Sequence, residues 1–234
     1  MTFRDRLDAL AAEYHLPTPA PHQLGRLLEA LAAEDDPHTT ITEPVRAIDQ
    51  HIADSLSGLH VPALREADSI VDIGAGAGFP GLPLAIALPS ARVDLVEAAR
   101  RKCAVIERLA AAADATNARV LPLRTEDLAQ ADRRDAYASA TARAVAPLPA
   151  LVEYAAPLLR PGGTFVAWKG ARDAAEEAAG ARAADIVGLR AADIIKVRPF
   201  AGARDLNLHL YLKESPTPSR FPRRPGMAAK RPLA

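Results

Sequence analysis

Apolar positions recur along the first 60 residues at helical spacing. Phe3, Leu7, Leu10 and Tyr14 fall three and four apart, as do Leu24, Leu27, Leu28 and Leu31, with Pro17, Pro19 and Pro21 between the two stripes. A third helix is predicted from Pro44, where a fixed φ and a missing N–H suit a first helical turn and Thr42 or Glu43 stands just ahead. Its inward face would be Val45, Ile48, Ile52 and Leu56, with His51, Asp54 and Ser55 near one another on a different face. From residue 69 the period changes. Short apolar runs at 69–73, 92–97, 118–123, 136–141 and 164–169 alternate with helical patterns, the clearest at 148–159 and 173–187. Such alternation predicts right-handed βαβ units and a parallel, doubly wound sheet. Two late runs, 193–200 and 206–213, joined by a loop holding Gly202, predict an antiparallel hairpin closing one edge. The predicted fold is thus α/β: a Rossmann-like sheet, mostly parallel, behind a set of N-terminal helices. Its expected divisions are a helical extension (1–60), the sheet domain (61–214) and a tail (215–234).

Composition narrows the choices. Aromatics are only 4% of the 234 residues, so the core must be built from Ala, Leu, Val and Ile. The 29 basic and 29 acidic residues cancel, which excludes a uniformly basic nucleic-acid binder. The balance is uneven, however. Residues 215–234 hold Arg220, Arg223, Arg224, Lys230 and Arg231 and no acid, leaving 24 basic against 29 acidic in the body, a net of −5. Five prolines in the same stretch predict a flexible, solvated tail, too polar to pack and too Pro-rich for a helix. One cysteine, Cys103, excludes a disulfide framework and a multi-Cys metal site; packing is its simplest role. The charged N-terminus does not resemble a signal peptide and no apolar run is long enough to span a bilayer, so a cytoplasmic protein without membrane or metal is expected.

The strongest local signal is Val71-Asp-Ile-Gly-Ala-Gly-Ala-Gly-Phe-Pro-Gly81. Gly76-x-Gly78-x-x-Gly81, with Glu97 further on, formally matches a dinucleotide fingerprint and keeps a nicotinamide-dependent oxidoreductase open. Asp72 inside the strand, and Pro80 and Pro83 where that fold wants close helix–strand packing, point elsewhere. An acid-x-Gly-x-Gly-x-Gly string on the first strand, with an acid ending the second, resembles the S-adenosylmethionine site of class I methyltransferases. In that arrangement Gly74, Gly76 and Gly78 let backbone approach the methionine end, Asp72 supports its ammonium and Glu97 accepts the ribose hydroxyls. After the fourth strand the chain reads Thr141-Ala-Arg143-Ala-Val-Ala-Pro147, which lacks the Asn/Asp-Pro-Pro-aromatic string usual in exocyclic amine methylation. Cys103 is in the wrong place for a pyrimidine C5 nucleophile, and no hydrolase elbow or zinc-binding helix is present. No covalent mechanism is indicated.

Five blocks then occur in order: Ile41-Thr-Glu-Pro44, His51-x-x-Asp54-Ser-Leu56, the glycine string through Leu84, Ala142-Arg-Ala-Val145 and Trp168-Lys-Gly170. Together they resemble the bacterial 16S ribosomal RNA guanine-N7 methyltransferases, the glucose-inhibited division protein B family. The tail Arg220-Phe-Pro-Arg-Arg-Pro-Gly226, with Lys230-Arg-Pro232, resembles the tail many members carry. The chain departs at Pro37-His-Thr-Thr40, where members commonly show Asn-Leu-Thr, so a role of that stretch in docking RNA does not carry over. The resemblance implies that Gly74 and Phe79 border the cofactor, that Thr125 and Glu126 sit beside its adenine, and that Arg143 approaches both cofactor and target base. Arg143 and Lys169, at the carboxyl ends of successive strands, are expected to position the substrate, and no general base is expected. Trp168 either stacks on a base or, the preferred reading, fills the core. His51 and Asp54 either contact substrate or join helix to sheet. Arg220, Arg223, Arg224, Lys230 and Arg231 would clamp RNA phosphates, giving affinity and not sequence choice. The implied partner is 16S rRNA in the small ribosomal subunit, met by a monomer. A non-catalytic rRNA-binding assembly factor is the remaining alternative.

Overall fold

The computed structural model describes residues 2–234. The N-terminal part holds α1 (Phe3–Tyr14), α2 (Ala20–Ala32), α3 (Pro44–Ala47), α4 (Asp54–Leu56) and α5 (Pro62–Arg65). The sheet part follows as β1 (Ser69–Ile73), α6 (Gly81–Ala87), β2 (Arg92–Val96), α7 (Arg100–Ala112), β3 (Ala118–Leu121), α8 (Thr125–Gln130), β4 (Tyr137–Arg143), α9 (Leu148–Ala155), β5 (Leu159–Lys169), α10 (Ala174–Val187), β6 (Leu189–Val197), β7 (Leu206–Lys213) and α11 (Met227–Lys230). Strand order is β3-β2-β1-β4-β5-β7-β6. β1 to β5 run parallel, and β7 lies antiparallel between β5 and β6. The chain winds outward from β1 through β2 to β3, then returns to β4 on the other side of β1. That reversal opens a crevice at the carboxyl ends of β1 and β4, the usual ligand position in such sheets.

Successive residues of one strand feed opposite cores, as the two-residue period of a strand requires. Ile70 enters the core shared with α1, α2, α6 and α7, whereas Val71 and Ile73 enter the core shared with α8, α9 and α10. Leu10, Leu24, Leu27, Leu28 and Leu31 join Ile70, Val93 and Val166 in the first of these, so the N-terminal helices cover a sheet face. The α1 helix begins on a reciprocal cap, the Thr2 hydroxyl accepting from Asp5 N–H (3.1 Å) and the Asp5 carboxylate from Thr2 N–H (2.8 Å). Glu43 caps α3 through Val45 and Arg46 N–H groups. Between α3 and α4 residues Ile48–Ala53 form a π-helical stretch. Ile48, Ile52 and Leu56 are buried as expected, whereas Val45, in the first turn ahead of that stretch, is 62% exposed.

The tail differs most from expectation. Thr217, Phe221 and Ala228 are buried, and α11 forms within it. The body supplies the partners that a Pro-rich segment cannot find in itself. Arg134 donates to the carbonyls of Thr217 (2.5 Å) and Phe221 (2.8 Å). The buried Lys213 ammonium donates to the Ala156 carbonyl (2.6 Å) and to the Thr217 hydroxyl. Arg223 grips Glu153 with two guanidinium nitrogens, at 2.7 and 2.5 Å. Proline content and net charge report on neither arginine-to-carbonyl bonds nor a buried carboxylate waiting in α9. No helix among the described residues is long and apolar enough to cross a membrane.

Candidate active site

A cavity of about 670 Å³ opens at the carboxyl ends of β1, β2 and β4. Its floor is the turn after β1, where Gly74 and Gly76 hold φ of +66° and +61°, a region natural to glycine. Ala75 N–H donates to the Val96 carbonyl at 3.0 Å and ties the turn to β2. Glu97, just past β2, lines the cavity with its carboxylate fixed by two amides, Gly76 N–H at 3.2 Å and Ala99 N–H at 2.8 Å. An added Cβ on Gly76 would meet nothing nearer than the Gly74 carbonyl at 3.8 Å, so this position faces open cavity.

Two predicted cofactor residues lie behind the turn instead of facing the cavity. Asp72 is fully buried; one carboxylate oxygen accepts from Gly81 N–H and the other from the Thr141 hydroxyl, both at 2.9 Å. Burial pushes its carboxyl up to about 7, against the lowering effect of those two bonds. Its reach is therefore taken up in fastening the turn to α6 and β4, and direct support of a ligand's ammonium is corrected to support of the backbone that would meet it. Gly78 (φ +92°) also lies off the cavity, and a Cβ there would stand 2.6 Å from Leu82 Cδ1. At Gly81 a Cβ would lie 2.7 Å from both Asp72 Oδ2 and Leu95 Cδ2, so the close helix–strand approach exists despite Pro80 and Pro83.

On one side the wall is Thr125 and Glu126, at the start of α8, with Tyr154 of α9. Both α8 residues are largely buried, and Glu126 accepts from Gly226 N–H at 2.8 Å. On the other side stand Arg143, His51, Asp54 and Phe79. Arg143 donates to Asp54 Oδ2 at 2.7 Å, and its guanidinium lies 5.8 Å from the centre of the Phe79 ring. The His51 ring stacks on Phe79 with centroids 4.4 Å apart and planes 10° from parallel. His51 Nε2 lies 3.1 Å from the Ile41 carbonyl, which assigns the proton to that nitrogen; Nδ1, 3.5 Å from Arg143, is then the acceptor. Burial, and then the Arg143 charge, push His51 down to about 4, so the ring is neutral. Burial raises the Asp54 carboxyl, and Arg143 opposes that rise. The 37–40 stretch reaches this wall after all: His38 and Thr39 line the cavity, and the Thr39 hydroxyl lies 3.1 Å from His51 Nε2.

Lys169 does not join them. Its ammonium is 2.7 Å from Glu176, a carboxylate that also accepts from Leu148 N–H, and it stands outside the cavity lining. The strand end predicted its position correctly, but nothing in a strand pattern shows that a helix seven residues on delivers an anion to it. Trp168 is buried and donates its indole N–H to the Asp54 carbonyl at 2.9 Å, packing where a Cβ on Gly58 would touch it. Cys103 is buried with its thiol directed at the Glu97 carbonyl, 3.2 Å away. Gln50, Lys102, Arg124, Val145 and Tyr154 also line the cavity and were not singled out from sequence. Lys102 and Arg124 are near neighbours of Glu97 and Thr125 along the chain, a signal that could have found them. In the tail, Arg223 is held by Glu153 and Arg220 lies 5.0 Å from the Phe221 ring centre. Arg224, Lys230 and Arg231 are exposed, without ion-pair partners among the described residues.

The family described as rRNA small subunit methyltransferase G matches residues 23–201. Over 218 residues the chain is 40% identical to the ribosomal RNA small subunit methyltransferase G of Chloroflexus aggregans, spanning 90% of this chain and 89% of the relative. Against the protein of the same name from Deinococcus radiodurans it is 40% identical over 222 residues, spanning 92% and 87%. Among solved structures, an O-methyltransferase from Bacillus cereus in complex with SAH shares the fold, with a TM-score of 0.58 at 18% identity over 82% of this chain and 91% of that one. These matches leave the nicotinamide-dependent and non-catalytic readings without support. The matched span takes in the glycine turn, Glu97, Glu126 and the Arg143–Asp54 pair, and the chain belongs to the rRNA small subunit methyltransferase G family.

Proposed function

We propose that this protein transfers the methyl group of S-adenosylmethionine to N7 of one guanine in the 16S RNA of the small ribosomal subunit. What carries the reading is one cavity, in a chain of this family, that joins Glu97 and the glycine turn on one side to Arg143 and Asp54 on the other. The donor set fits the cofactor. Open space at Gly76 admits the methionine part, the Glu97 carboxylate suits ribose hydroxyls, and Thr125 with Glu126 offers polar groups to an adenine edge.

When bound, S-adenosylmethionine supplies an electrophilic methyl carbon on a sulfonium. Guanine N7 carries a free lone pair and loses no proton on attack, so the protein needs no general base. Its work is alignment to a near-attack contact of roughly 3–3.5 Å. His51 suits that task because its ring is neutral and stays so through the physiological range. Arg143, held by Asp54 and lying over Phe79, keeps a fixed positive group at the mouth, where it can donate to the purine carbonyl beside N7. Asp72, Thr141 and Gly81 hold the turn still. Arg220, Arg224, Lys230 and Arg231 contact RNA phosphates, while Arg223 anchors the segment that bears them. On this reading the enzyme works as a monomer in the cytoplasm, without a metal.

The test is incubation with methyl-labelled S-adenosylmethionine and unmodified small ribosomal subunits, followed by cleavage at N7-methylguanine. Label at a single guanine of 16S RNA is expected. Label at another base atom, or none on subunits or naked RNA, would overturn the assignment.

A further inference from the structure

A cavity-lining side chain is fastened to the C-terminal segment. Glu126 accepts from Gly226 N–H at 2.8 Å, and Tyr154, on the same wall, lies in the helix that packs against α11. Next to Tyr154, Glu153 is 1% exposed and takes both arms of Arg223, which also donates to the Arg231 carbonyl at 2.8 Å. Residues 223–231 are thus clamped beside the α8–α9 wall, and the same residues present Arg224, Lys230 and Arg231 to solvent. The segment that bears the basic surface therefore backs the cavity wall at Glu126.

We propose that this segment couples the two binding events, so that cofactor and RNA each raise the other's affinity through it; the proposal rests on the cofactor and RNA assignments made above. A ligand against Glu126 excludes water from one side of its bond to Gly226. A charge-assisted hydrogen bond strengthens as the surrounding dielectric falls, and the segment frays less. Cations on a segment already held lose less conformational freedom on meeting phosphates. By linkage the enhancement is equal in both directions. Arg223 and Glu153 are positioning residues in this scheme, acting through Gly226 and Glu126 without touching ligand.

The experiment uses the full chain, S-adenosylhomocysteine and 16S RNA transcript, titrated singly and together. For the natural sequence, each ligand tightens the other by the same factor, about five-fold or more. The double substitution Glu153→Gln/Arg223→Met removes the clamp as a neutral pair, keeping the free cations and every cavity residue. Its affinity for S-adenosylhomocysteine falls about five-fold or more, and the mutual enhancement drops to near one. In parallel, amide exchange over residues 226–230 of the unsubstituted chain slows when S-adenosylhomocysteine is added, Gly226 most. Should the double variant fail to fold, that exchange measurement decides alone. Unchanged exchange, or a folded variant retaining full affinity and enhancement, overturns the coupling. Failure of the underlying reading shows elsewhere, as no binding of one ligand by the unsubstituted chain in the single titrations, and takes the coupling with it.

Discussion

Gly76 and Gly78 sit two residues apart in one turn, both at positive φ, yet replacing each by Ala should damage different properties. At either position a Cβ must adopt a left-handed backbone, which costs about 1–2 kcal/mol. At Gly76 that is nearly the whole penalty to the fold, because the nearest atom to the new Cβ is 3.8 Å away. The methyl instead projects into the cavity beside the amide that Glu97 holds. At Gly78 the Cβ would press on Leu82 at 2.6 Å, and Leu82 is wholly buried. Overpacking adds about 1–3 kcal/mol there. Urea unfolding should therefore place Gly76→Ala about 1–2 kcal/mol below the natural sequence and Gly78→Ala about 2–5 kcal/mol below it. Calorimetric titration with S-adenosylhomocysteine should give the reverse order: Gly76→Ala binds about ten-fold or more weakly, about 1.4 kcal/mol, while Gly78→Ala, measured well below its melting temperature, binds nearly normally. Equal stabilities, or normal affinity in Gly76→Ala, would refute the reasoning that one glycine serves the ligand and the other the core.

Arg143→Met should cut methyl transfer by about 10²-fold and destabilise the fold by roughly 3 kcal/mol, because Asp54 keeps a buried charge without its cation. Asp54→Asn/Arg143→Met should regain stability in urea melts but not turnover; restored turnover would exclude a role for the guanidinium. For His51, the unfolded chain takes up a proton near 6.5 whereas the folded chain waits until about 4, so stability is lost as pH falls through that window. The His51→Asn variant should show a flatter urea midpoint between about pH 4.5 and 6.5, by up to about 1.4 kcal/mol per pH unit; an unaltered slope would mean the imidazole is not held neutral. Trp168→Phe removes one donor from the Asp54 carbonyl, which keeps the Ser57 hydroxyl at 2.6 Å, and should cost about 0.5–1.5 kcal/mol for that bond, with a raised KM for RNA as the turn bearing His51 and Asp54 loosens. Wild-type melting with that substitution would contradict the packing role.

Much of this molecule could be read from residue order because its local signals agree with its global fold. Alternation of apolar runs and helical stripes found each of the seven strands, though β5 starts at Leu159, within the expected helix 148–159, and β6 spans Leu189–Val197 instead of 193–200; the hairpin fell at the sheet edge as its loop implied. The glycine turn announced itself through backbone demands that only one residue type meets. What escaped depended on contacts distant in sequence. Asp72 was found at the right place, but its direction is set by Gly81 N–H and Thr141 across the neighbouring strand. Lys169 met Glu176. The tail was misjudged because its order comes from Arg134, Lys213 and Glu153, three body residues with no local pattern pointing to it. The π-helical turn has no periodic trace in the sequence, and Val45 is exposed because it stands in the first turn of α3, ahead of the buried Ile48, Ile52 and Leu56.

The solitary thiol carries a practical consequence. Cys103 lies in the first turn of α7 with its sulfur against the Glu97 carbonyl, and burial raises its pKa above that of a free cysteine. A reagent can reach it only when the end of β2 and the start of α7 part. Alkylation of this one side chain is then a clock for breathing at the cavity floor, readable by mass spectrometry without labels or extra substitutions. Its rate in the resting protein gives the opening free energy at that point, and any molecule that settles against Glu97 should slow it.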